Sequence, residues 1–83
     1  MKTYYAEGIV TYVDDNSEVG EEPYNGKEVY TVIVTANTRE LGRNKALKEV
    51  RNSFEDDVYE EGITKNIIVE LETFYETSED ARK

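Results

Sequence analysis

The side chains that could do chemistry in this chain are carboxylates and phenols, because it contains neither histidine nor cysteine. Those absences remove the side chain that titrates near neutral pH, the strongest protein nucleophile, and every disulfide or thiolate metal site. The 19 acidic residues are gathered unevenly. One cluster, Asp14, Asp15, Glu18, Glu21 and Glu22, leads into the only proline and Tyr24; a second, Glu55, Asp56, Asp57, Glu60 and Glu61, brackets Tyr59. Each is a dense negative surface with an aromatic ring set in it. Such a composition suits docking on a basic protein surface, with carboxylates standing where the phosphates of a nucleic acid would stand and tyrosine supplying rigid contact area.

Other chemistries fit less well. Glu70 and Glu72 are two apart on a predicted strand and so share a face, but nothing around them would desolvate either carboxylate into a working acid or base. Asp14, Asn16 and Glu18 alternate like the opening of a calcium loop. Gly20 then comes one place late for the turn, and Asn25 stands where the closing glutamate belongs, so neither a dedicated metal site nor a cofactor is expected. Gly20 and Gly26 lie among acids that would repel a phosphate. The reading is a non-enzymatic protein.

Ten basic residues against 19 acidic give a net charge of -9. From Arg39 to Arg51 five basic residues stand against two acidic ones, a local +3 that leaves -12 for the rest of the chain. That balance disfavours direct nucleic-acid binding and speeds encounter with a basic partner. Lys45, Lys48 and Arg51 read as an offset to the chain's own acidity. No apolar run approaches the ~18 residues that cross a bilayer, and the first residues lack the apolar segment of a signal peptide, so a cytoplasmic chain without membrane contact is expected. In size and charge the chain is similar to phage-encoded inhibitors that occupy the nucleic-acid groove of a host enzyme. By that analogy it is a phage or mobile-element inhibitor acting in the host cytoplasm.

The elements that must position these clusters follow from period. Over 38–54, Ala46, Leu47, Val50, Phe54 and the stem of Arg43 fall in one helical stripe, with Lys45, Lys48 and Asn52 opposite. Asn37 or Thr38 caps the helix, and the acids after Phe54 oppose its macrodipole, which predicts an end there. Strands are predicted at 3–14, 28–36 and 63–75, with Gly8 a bulge or a point of close approach. The stretch 14–26 reads as a long loop finishing in a tight turn at 23–26. A right-handed return through the helix brings the third strand parallel to the second, and the first fits between them antiparallel to both.

The predicted fold is therefore α+β, a two-layer ββαβ unit with a three-stranded antiparallel sheet in the order 2-1-3 and one helix on one face. A single domain spans 1–76, followed by a flexible tail at 77–83. One helix covers one face only. Tyr5, Ile9, Val13, Val29, Ile33, Ile68 and Phe74 are left on the other, an apolar patch expected to be buried in a homodimer. Two alternatives share that face: an assembly subunit held together by it, and a dimer binding a small ligand between Tyr5 and Phe74.

Overall fold

A computed structural model describes residues 1–15, 20 and 22–77. Its elements run β1 (Lys2–Asp14), β2 (Tyr24–Ala36), α1 (Arg39–Asp57) and β3 (Thr64–Glu76). β1 is central and antiparallel to both neighbours, in the order β2-β1-β3, and α1 lies across one face. This is the two-layer α+β arrangement predicted from element order. Each strand has 13 residues, which at roughly 3.3 Å per residue makes a sheet about 40 Å long and only three strands wide. The chain is accordingly rod-like, 54 × 18 × 18 Å.

β1 and β2 pair without interruption from Lys2↔Ala36 to Asp14↔Tyr24. β2 thus begins at Tyr24, so 24–26 of the turn expected at 23–26 are strand instead. Gly26 serves a different purpose from the one its sequence context suggests. Tyr12, its partner across the strands, lays its ring over it, and a Cβ there would stand 2.1 Å from the ring's Cζ.

The helix and sheet are keyed together by two reciprocal close approaches. Gly8 of β1 receives Val50 of α1, whose Cγ2 would lie 2.5 Å from an added Cβ; Gly42 of α1 receives the ring of Tyr4, 2.7 Å from an added Cβ. Between these points Tyr4, Ala6, Val10 and Tyr12 of the central strand bury Ala46, Val50 and Phe54 of the helix. Thr38 is the N-cap, its hydroxyl accepting from the Leu41 N–H at 3.2 Å. The helix does not stop at Phe54 but continues to Asp57. Acids at a helix C-terminus cost a few tenths to about 1 kcal/mol, whereas burying Phe54 contributes about 2–3 kcal/mol. Phe54 is fully buried with its ring 5.1 Å from Tyr12, so the larger effect holds the last turn.

β3 carries two register shifts against β1. Gly8 pairs with Leu71 and Glu7 with Thr73, so Glu72 is an extra residue and the in–out alternation reverses beyond it. Phe74 therefore lies on the helix side, stacked on Tyr4 with centroids 5.1 Å apart, and the Arg39 guanidinium sits 4.9 Å above its ring. This corrects the placement of Phe74 on the open face. Tyr75 takes that position instead, its ring 5.1 Å from Tyr5.

Candidate functional site

The fold brings the two acidic clusters to one end of the rod. Asp14 closes β1 and pairs with Tyr24 of β2 and Thr64 of β3. The Asp15 N–H donates to the Ile63 carbonyl at 2.9 Å, and the Glu60 N–H donates to the Thr64 hydroxyl at 2.8 Å. These bonds tie the end of the hairpin to the connection that follows the helix. Asp14, Asp15, Glu22, Glu55, Asp56, Asp57, Glu60 and Glu61 share this pole; Glu18 and Glu21 lie outside the described residues. Tyr24 is 64 % exposed there, while Tyr59 turns its ring edge against Phe54 at 6.5 Å.

Among the described residues, two cations pair with this end. Lys65 lies 3.7 Å from Asp15, and Arg51 pairs with Glu55 at 3.0 Å one helical turn away. Both pairs are substantially exposed, and such pairs neutralise charge while adding little stability. Two other basic side chains of the +3 segment, Arg39 and Lys45, lie toward the opposite end. Arg39 rests on Phe74, and the Lys45 Nζ donates to the Thr35 carbonyl at 2.6 Å, both close to the Lys2 end of the sheet. The rod is electrically polarised along its length, acidic at the hairpin end and basic where the helix begins.

Two tyrosines missed by sequence reasoning belong to this pole. The Tyr30 hydroxyl donates to Asp57 at 2.9 Å, and the Tyr12 hydroxyl donates to Glu28 at 3.3 Å. Burial, then the hydrogen bond and charge of Asp57, hold the Tyr30 phenol well above its usual range; burial and then Glu28 raise Tyr12. Both were assigned to the apolar face by alternation, which is where their rings lie. What alternation does not register is that a tyrosine at the edge of a core sends its hydroxyl out to a nearby carboxylate, here Asp57 at the helix end for Tyr30 and Glu28 of β2 for Tyr12.

The open face holds Tyr5, Ile9, Val13, Val29, Ile33 and Ile68, with Val29, Ile33 and Ile68 each more than half exposed. It is not one apolar patch. Glu7 lies across its middle between Thr31 and Thr73, accepting from the Tyr5 hydroxyl at 3.1 Å and the Thr73 hydroxyl at 3.4 Å. This polar row separates Tyr5, Ile33 and Tyr75 from Ile9, Val29 and Ile68. Tyr5 and Phe74 are on opposite faces of the sheet, so the ligand pocket expected between them does not form.

Among the described residues, no three acidic side chains converge closely enough to hold a metal ion, and no helix is long and apolar enough to cross a membrane. The chain matches no family model, and comparison with curated proteins and with solved structures likewise gives no match.

Proposed function

We propose that this chain is a non-enzymatic protein-binding module whose acidic pole docks on the basic surface of a partner protein. The observation that carries the reading is the convergence, at one end of a rigid rod, of two carboxylate clusters far apart in the sequence. Converged charges act together over the screening length of about 8 Å at physiological salt, whereas scattered ones are damped separately. Exposed Tyr24 supplies contact area beside them. A basic surface that otherwise holds nucleic acid is the partner chemistry this end fits, and an inhibitor of such a protein, of phage or mobile-element origin and acting in the cytoplasm, is the role that follows.

The test is capture of partners from lysate by the immobilised chain, beside a variant with Glu22, Asp56, Glu60 and Glu61 changed to amides. Captured proteins should be basic, should elute well below about 1 M salt, where the screening length has fallen to about 3 Å, and should be lost by the variant. The variant should melt at or above the temperature of the parent, because like charges have been removed. Retention at about 1 M salt, or equal capture by the variant, would overturn the proposal.

A second reading, an assembly subunit that homo-oligomerises through the open face, is favoured by the exposure of Val29, Ile33 and Ile68. Ile68→Lys places a charge in that face and should abolish any assembly it mediates. The row of Glu7 weakens this reading, since face-to-face packing would desolvate its carboxylate.

A further inference from the structure

The sheet has two edges, and they are built differently. β3 is broken by two bulges, carries Asn66 at φ 55° and presents Lys65, Glu70 and Glu72, all devices that spoil an edge for pairing. β2 has none of these over most of its length: its register with β1 is unbroken, and from Val29 to Ala36 it is uncharged and free of glycine and proline. The direction of its backbone can be read off as well. The Thr3 carbonyl accepts from the Thr77 N–H, so Thr3 turns its backbone toward β3, and its partner Thr35 turns its own outward. Alternation places the N–H and C=O groups of Ile33, Thr31 and Val29 on the same free edge. Lys45 bonds the Thr35 carbonyl, which among the described residues leaves Val29 to Ile33 as the open stretch.

We propose that this edge is a self-association surface, on which two copies pair their β2 strands antiparallel about a two-fold axis near Thr31 to make one six-stranded sheet. The occupant is a second copy because of the polarity of the rod. An antiparallel pair sets the acidic pole of each copy beside the basic end of the other and keeps the two acidic poles apart. In that register Val29 of one copy faces Ile33 of the other, and Glu28 lies beside Lys45 of the other copy. The paired stretch, Val29 to Ile33, lies outside the acidic pole although the pole's charge favours the pairing, so the exchange of these amides reads the dimer separately from partner capture.

Sedimentation across about 10 μM to 1 mM should show a monomer–dimer equilibrium. Amide hydrogen exchange then reads the surface directly. The N–H groups of Val29, Thr31 and Ile33 should exchange freely in the monomer and slow by at least about tenfold where the dimer dominates. Thr31→Lys, at an exposed position, should abolish the dimer and leave the melting temperature of the dilute protein unchanged. A strict monomer through this range overturns the proposal. So does a dimer in which those three amides keep their monomer rates, which is the result expected of open-face packing; should Thr31→Lys not fold, the exchange rates of the parent protein decide.

Discussion

Gly8→Ala is the most direct probe of what positions the helix, and with it the acidic pole. An added methyl would meet Val50 Cγ2 at 2.5 Å and Cγ1 at 2.7 Å, where ordinary contact needs about 3.5–4 Å. Val50 must retreat by about 1 Å, yet it is fully buried in a cluster with Val10 and Phe54. Overpacking of this kind costs about 1–3 kcal/mol, partly offset by the ~0.5–1 kcal/mol that alanine gains over glycine in a strand. The expected net loss is up to about 2.5 kcal/mol, and a domain of this size loses roughly 4–8 °C in Tm for each kcal/mol. Val50→Ala alone deletes two buried methyl groups and should cost about 2–3 kcal/mol, counting transfer and cavity. In the double variant the methyl of residue 8 occupies the space that Val50 vacates. Urea unfolding of the four proteins should therefore give a double variant about 1–3 kcal/mol more stable than the two single losses imply. Additivity within about 0.5 kcal/mol would show that the helix is not keyed to the sheet at this point.

Two further predictions test the bulge and the buried phenols. Phe74→Ala should cost about 2 kcal/mol in chemical denaturation, because its ring is stacked on Tyr4, while Tyr75→Ala, at a position 49 % exposed, should cost under ~1 kcal/mol; the reverse order would restore unbroken alternation along β3. Tyr30 keeps its proton to higher pH in the folded chain than the ordinary phenol value of 10.0, so above that value the native state binds more protons than the unfolded one and stability falls as pH rises. Stability should show no such loss below the phenol range, and Tyr30→Phe should both delete the last step of the phenolate absorbance titration and flatten the alkaline loss; an unchanged titration curve would mean that Asp57 and burial do not act on this group.

Element order and the buried Ala46, Val50 and Phe54 of α1 were legible because they rest on periods that the sequence displays directly, and the sheet order 2-1-3 with β1 central because it rests on crossover handedness; Leu47 of the expected stripe is only half-buried, Arg43 is exposed, and Gly42 is buried in their place. Three features were not. Phe74 was misplaced because parity along a strand survives only until an extra residue is inserted, and nothing in the run from Glu70 to Tyr75 marks Glu72 as that residue; the shift falls opposite the step from Glu7 to Gly8 on the neighbouring strand. The extension of the helix to Asp57 was misread because the macrodipole is a local argument and the burial of Phe54 against Tyr12 is a tertiary one. Gly26 looked like a turn residue because Pro23-Tyr24-Asn25-Gly26 is good turn composition, while the ring that needs the missing Cβ comes from Tyr12 on another strand. The members of the acidic clusters were named from composition alone. Their meeting at one pole depends on the register of the hairpin and on where the helix ends, which are the same tertiary facts.

That dependence bears on what the pole is for. Eight described carboxylates at one end, with Lys65 and Arg51 their bonded cations, repel one another, and two of the turns that carry them are local choices against the fold: acids in the last turn of a helix, and a connection of acids beside the end of an acidic hairpin. The fold sustains this arrangement by seating Phe54, Tyr12 and Tyr30 beneath it and by spending the phenol hydroxyls on Glu28 and Asp57. Solubility alone would be served as well by the same charges spread along the rod, without the mutual repulsion. On the proposed docking function, this local cost, which the rest of the core must offset, would be relieved when a partner arrives with the opposite charge.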